Sequence, residues 1–170
     1  MTKSISNLTI RPATPEDLDA VDTLLQRSYP VLLKRDYAPS VLVTTLPLIS
    51  RAQPALLASG SYFLAERDGA VVGAGGWTPQ APGGRRGLRG VGHIRHVVTD
   101  YRQTRQGIGR RLMSHVMWHA RAAGCEVLHC QSTLTAVPFY ASLGFATQGR
   151  IEVDLPRGIR FPAEFMIARL

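Results

Sequence analysis

The sequence predicts an α/β fold in which a mixed β-sheet carries helices on both faces. Three observations lead there. Strand-like and helix-like stretches follow one another in the order β-α-α-β-β-β-α-β-α-β-β, glycine and proline mark most of the joints, and neither a repeat nor a linker divides the 170 residues. That length suits a single domain spanning residues 1–170 with a substantial core. A composition of 45% hydrophobic and 19% charged residues belongs to a folded chain, not a disordered one.

The elements follow in order. Leu8 to Arg11 alternates as a strand does. Thr14-Pro15-Glu16-Asp17 opens a helix with a hydroxyl cap, proline at the first helical position and acids near the positive dipole end. Leu18, Val21, Leu24 and Leu25 mark its inner face, and Pro30 is expected to end it. A second helical stretch from Pro39 carries Val41, Leu42, Leu46, Ile49, Leu56 and Leu57, with breaks expected at Pro47 and Pro54. Tyr62 to Glu66 and Ala70 to Trp77 form a hairpin around Asp68-Gly69. Residues 78–92, rich in Pro, Gly and Arg, read as a loop, and His93 to Val98 as a strand. Gly107 to Ala123 has Ile108, Leu112, Val116 and Ala120 in helical register and closes at Gly124. A strand at Val127 to Gln131, a short helix over 134–142 stopped by Gly144, and strands at Phe145–Val153 and Ile159–Ala168 complete the chain.

Composition also excludes. No run approaches the ~18–20 apolar residues of a membrane span, and Met1 to Asn7 lacks the apolar core of a leader, so a cytoplasmic location is expected. Cys125 and Cys130, read as five apart on one strand, point to opposite faces and do not predict a disulfide. The net charge of +8 is localised: residues 83–121 hold nine arginines and one acid, Asp100, while acids and bases balance on either side. Such a block predicts one polyanion site, for a phosphorylated cofactor or a nucleic acid.

The focus of that block is Arg105-Gln106-Gly107-Ile108-Gly109-Arg110-Arg111. Glycines in the first helical turn let a ligand approach unpaired N–H groups, and the helix dipole with its arginines favours phosphate. The third glycine of a dinucleotide fingerprint is missing, and no Gly-Lys-Ser/Thr follows as in a P-loop.

Val97-Val98-Thr99-Asp100, the Arg105–Arg111 turn, and Thr133-Leu134-Thr135-Ala136-Val137-Pro138-Phe139-Tyr140-Ala141-Ser142-Leu143-Gly144-Phe145 together resemble the GNAT superfamily of acyl-CoA-dependent N-acetyltransferases. The turn matches the family's Q/R-x-x-G-x-G/A motif, with Thr104 at its leading position, and the last segment matches the closing F-Y-x-x-L-G-F helix, with Thr133 as a possible cap. The resemblance covers roughly residues 8–169. It implies a three-layer α/β/α sandwich with a mostly antiparallel sheet of about seven strands and about four helices. It further implies that acetyl-CoA is the co-substrate. The backbone of His96, Val97 and Val98 would pair with the pantetheine arm, the amides of Arg105, Gln106, Gly107, Ile108, Gly109 and Arg110 would take the pyrophosphate, and Thr133, Ala136 and Phe139 would complete the cofactor site. Admitting the arm requires a splay between strands 93–98 and 127–131.

In such a reaction an amine with a pKa around 10 attacks a thioester, an N–H near Val98 holds the oxyanion, and an acid protonates a thiolate of about 8.5. The resemblance makes Tyr140 that acid. His93 and His96 are candidates for the base, and their spacing of three puts them on opposite faces of a regular strand. His115 and His119 stand at i, i+4, a chelating spacing without a third ligand, so no metal site is predicted. His129 is a strand residue, and Cys130 has no base at a readable spacing to make it a nucleophile. The resemblance places Ser28-Tyr29-Pro30, Tyr37 and Trp77 around an acceptor pocket. The expected function is acetyl transfer to a primary amine of a small molecule or peptide, homodimers being common among similar proteins. Two alternatives stand behind it: a non-catalytic CoA-binding module, and a nucleic-acid binder using residues 83–121, whose Arg-Gly loop at 82–90 lacks interleaved aromatics.

Overall fold

The computed structural model describes residues 7–170; most of the N-terminal segment read above for a leader, Met1 to Ser6, lies outside the described residues. Seven strands form one sheet: β1 (Leu8–Pro12), β2 (Tyr62–Arg67), β3 (Ala70–Thr78), β4 (Val91–Thr99), β5 (Val127–Ser132), β6 (Ala146–Asp154) and β7 (Arg160–Arg169), in the spatial order β1-β2-β3-β4-β5-β7-β6. All neighbours are antiparallel except β4 and β5, which are parallel. Five helices cover it: α1 (Leu18–Leu33), α2 (Pro39–Ile49), α3 (Pro54–Leu57), α4 (Ile108–Ala122) and α5 (Val137–Ser142). The first three pack with Tyr62, Leu64, Ala74, Val98 and Phe161 on one face. On the other, Leu112, Met113, Val116 and Tyr140 from α4 and α5 pack with Phe63, Trp77, Ile94, Leu128 and Met166. Period-2 alternation sends neighbouring strand residues to different layers, which yields the expected three-layer sandwich.

Two prolines do not break their helices. α1 continues past Pro30 to Leu33, and α2 runs through Pro47. The backbone bonds these prolines forgo would end on the carbonyls of Gln26 and Val43, both on exposed turns where water serves, while the buried Leu33 draws the α1 end inward. Pro39 and Pro54 stand at first helical positions, where proline is at ease. Cys125 precedes β5 and shares one hydrophobic cluster with Cys130; both are free thiols, so the opposite-faces reading was wrong even though no disulfide forms.

Two irregularities in β4 matter most. Its parallel pairing with β5 covers only Val91–His93 against Val127–His129. Beyond that the strands part, leaving Ile94–Thr99 and Cys130–Ser132 unpaired across a gap. On the β3 side the register slips between Ala74 and Gly76, so β4 carries one extra residue, and His96 sits there at φ 49°. Histidine is among the residues that tolerate this region. Two phenols hold the bulge from below: Tyr62 Oη donates to the His96 carbonyl at 2.7 Å, and Tyr29 Oη to that of Val97 at 3.0 Å.

Candidate active site

The gap between β4 and β5 deepens into a cleft of about 340 Å³. Tyr29, His96, Val97, Cys130, Ala136 and Tyr140 line its inner part, with Thr133 beside them. Tyr140, 5% exposed, packs in one cluster with Cys130 and lines the cleft with it. Burial pushes the Tyr140 phenol well above its ordinary value, with the neighbouring Cys130 adding to the shift, and pushes Cys130 up to about 12. Both hold their protons at neutral pH, so Cys130 does not offer a thiolate. His96 Nε2 lies 2.8 Å from the Ile49 carbonyl, which can only accept, so Nε2 carries the hydrogen and Nδ1 keeps its lone pair. Burial, opposed by that hydrogen bond, moves His96 below the ordinary imidazole value.

The bulge also changes which way β4 side chains face. With an extra residue inserted, Arg95 and His96 both turn to the α2–α3 side: Arg95 reaches Gln53, and His96 reaches Ile49. His93 lies on this face too, edge-on to His129 at 5.3 Å beside a smaller pocket of about 110 Å³. The expectation that His93 and His96 face oppositely fails for this reason. His96 lines the main cleft and His93 does not. Val98 is 3% exposed beneath α1, and Asp100 N–H donates to Val72 O at 2.9 Å. By strand alternation the backbone groups of Val98 therefore point to β3 and those of Val97 to the gap.

At the far end of β4 stands the start of α4. Gly107 caps it at φ 78°, Arg105 sits at φ 59°, and the first backbone bond runs from Arg111 N–H to Gly107 O at 3.0 Å. The N–H groups of Ile108, Gly109 and Arg110 precede it in the turn. Ile108 has its side chain in the core, so only its backbone faces this end. Gly109 leaves room for Phe139, whose ring would lie 3.2 Å from an added Cβ. Gln106 turns its side chain inward: Arg67 Nη1 donates to Gln106 Oε1 at 2.7 Å and to Gln103 Oε1 at 2.9 Å, tying the turn to β2. Thr133 Oγ1 accepts from Ala136 N–H at 3.2 Å and caps the closing segment, as expected.

Not all of the basic block stands at the α4 start. Arg102 and Arg27 share the buried carboxylate of Asp100, Arg110 donates to Ser142, and Arg95 lies in the cleft well away from the α4 start. His119 Nδ1 accepts from Trp77 Nε1 at 3.0 Å and His115 packs on Phe63; no cluster of three metal-ligating side chains exists among the described residues. Of the expected acceptor-pocket residues, only Tyr29 reaches the cleft. Tyr37 is spent on Pro162 O and Leu134 N–H, Ser28 on Tyr101 N–H, and Trp77 on His119. No described helix is long and apolar enough to cross a membrane.

A model of the acetyltransferase (GNAT) family matches residues 18–145. The chain belongs to this family. Among curated members, the glucosamine 6-phosphate N-acetyltransferase of Trypanosoma brucei brucei is 34% identical over 94 residues, 55% of this chain and 63% of that protein. The probable N-acetyltransferase family 8 member 5 of Mus musculus is 29% identical over 121 residues, 68% and 51% respectively. This chain therefore spans less than two thirds of the curated relatives it matches. A GCN5-related N-acetyltransferase of Rhodopseudomonas palustris superimposes with a TM-score of 0.77 at 20% identity, covering 98% of both chains. The PaiA N-acetyltransferase of Thermoplasma acidophilum, solved with coenzyme A, does so with 0.70 at 12% identity over 96% of this chain and 99% of its own. These likenesses establish the shared fold. Within the GNAT frame, sequence reasoning missed Arg95, Gln53 and Tyr62, because the bulge that brings them together leaves no periodic signal.

Proposed function

We propose that residues 1–170 act as one acetyl-CoA-dependent N-acetyltransferase domain, moving the acetyl group to a primary amine by direct attack on the thioester. The observation that carries this reading is the gap beyond His93 and His129: it opens into a pocket lined by Tyr140, Cys130 and His96, on the strand that continues toward the α4 start. The chain's residues fit the co-substrate. The first-turn amides of α4 and Arg105 suit a pyrophosphate, and the unpaired edge of β4 suits an extended amide-bearing arm. Acetyl-CoA supplies the activated acyl group.

The backbone N–H of Val97, facing the gap, would stabilise the developing oxyanion. Tyr140 would donate to the leaving sulfur, being a protonated phenol that lines the cleft. His96 would take the amine's proton. An ammonium near 10 giving its proton to an imidazole below 6.5 is uphill by more than 3.5 units, about 5 kcal/mol. The acceptor therefore attacks as the neutral amine, its first proton having been lost to water, and His96 takes the second proton once attack has made the nitrogen cationic and acidic. Likeness to the trypanosomal glucosamine 6-phosphate N-acetyltransferase supports an amino-sugar acceptor, and peptide amines share the chemistry.

The test pairs two variants, with free thiol release and acetyl-CoA calorimetry as readouts. Gly107→Asp keeps the fold, since Asp tolerates a left-handed backbone at this exposed site, and is expected to abolish acetyl-CoA binding by placing a carboxylate at the phosphate end. Tyr140→Phe is expected to bind acetyl-CoA normally and lose about 10²-fold or more in kcat. Full turnover in Tyr140→Phe would remove Tyr140 as the acid; intact binding in Gly107→Asp would remove the proposed cofactor site.

A further inference from the structure

We infer that Arg95 reads an anionic group on the acceptor, so that the substrate is a primary amine that also bears a carboxylate or phosphate. This rests on the acetyltransferase reading of the same cleft and extends it to the acceptor's chemistry.

Position comes first. The β4 bulge sets Arg95 beside His96 on one face, and both line the cleft, at the side away from the α4 start. An acceptor whose nitrogen reaches the His96–Tyr140 region thus has Arg95 as its neighbour. The partners of Arg95 come next. Nη1 donates to Thr78 Oγ1 at 3.0 Å and Nη2 to Gln53 Oε1 at 3.3 Å, both neutral. Among the described residues no carboxylate lies within ion-pair distance of it. Asp154, the one acid lining the cleft, is exposed and faces Arg160 at 3.5 Å.

Other arginines show what the fold does with a guanidinium. Arg11 pairs with Asp17 and Glu66, Arg27 and Arg102 with Asp100, and Arg150 with Glu164. Arg67 also lacks a carboxylate, but its Nε and Nη2 are sealed from the surface and no ligand can reach them. Arg95 alone among these combines a place in the cleft with neutral partners. A guanidinium drawn partly out of water without a counter-ion is costly, and burial accordingly lowers its proton affinity. Thr78 and Gln53 would be satisfied by a neutral donor, so they do not account for the charge. An arginine fork held at two of its donors presents the others, in fixed geometry, to a planar carboxylate or a phosphate.

The experiment measures kcat/KM on matched acceptors that differ only in the anion: glucosamine against glucosamine 6-phosphate, and amino acids against their amides. The full chain is expected to favour the acidic member of one pair by ten- to a hundredfold, the pair identifying phosphate or carboxylate as the group read. In Arg95→Gln that preference collapses through KM, Arg95→Lys recovers part of it, and acetyl-CoA affinity stays within about twofold as the check on folding. Equal use of acidic and neutral members by the full chain, or a preference that survives Arg95→Gln, overturns the inference. A second arm measures binding of the same amines to the CoA-loaded protein by calorimetry. Should transfer fail for every acceptor, anion-dependent binding that Arg95→Gln abolishes keeps the Arg95 assignment while the catalytic reading falls. Absence of such binding overturns the assignment as well.

Discussion

His96 performs three tasks from one position. Its φ of 49° forms the bulge, its carbonyl receives the Tyr62 hydroxyl, and its ring is locked by Ile49 with Nδ1 unprotonated. Because burial lowers its pKa, His96 is neutral at pH 7 and charges only as pH falls below 6.5. If it is the base, the acid limb of kcat/KM lies below pH 6.5, and His96→Gln flattens that limb while lowering the plateau about 10²-fold. An unchanged limb in the variant assigns the titration to another group. His96 and Tyr140 were both legible as candidates, Tyr140 from its place before Ser142-Leu143-Gly144-Phe145. Arg95 was legible only as one charge among nine, since a strand of alternating residues carries no mark of where it will bulge.

At the scale of elements, the sheet around β4 depends on small residues in β3. A Cβ at Gly76 would fall 2.6 Å from Tyr62 Cα and closer still to Ser61 O, backbone atoms that cannot swing away. Gly76→Ala should therefore cost about 3 kcal/mol and lower Tm by roughly 6–12 °C, measured by thermal unfolding. A shift under about 2 °C would show that β2 and β3 separate more easily than their register suggests. Helix and strand types emerged from periodicity throughout, and Gly107, Gly124 and Gly144 do adopt the positive φ their places imply. The ends of α1 and α2 were misjudged at Pro30 and Pro47, because whether a forgone backbone bond matters depends on which carbonyl loses it.

Across the whole molecule, Asp100 ties α1 to the turn that leads from β4 into α4. Its carboxylate is 1% exposed, accepts from Arg102 N–H at 3.0 Å and pairs with Arg27 and Arg102. Burial alone would raise its pKa, but the hydrogen bonds from Arg102 and the charge of Arg27 outweigh it and hold the group below 3.8. A depressed folded pKa contributes stability that is complete above 3.8 and fades as pH drops through the folded value. Asp100→Asn should lower Tm at pH 7 by roughly 4–8 °C, about 2 kcal/mol, with the gap to the parent narrowing below pH 3.8. A gap independent of pH would mean that shape rather than charge matters there.

Local chemistry determined the element order, the glycine-capped start of α4 and the family resemblance, because periodicity, capping and short motifs are written in neighbouring residues. Only the tertiary structure decided where β4 leaves β5, that one extra residue turns Arg95 and His96 to the same face, and that Arg95, Arg102 and Arg110 take partners in different parts of the fold. Those outcomes depend on pairings between residues far apart in the chain, such as Tyr62 with His96 and Arg27 with Asp100, and no local pattern records them.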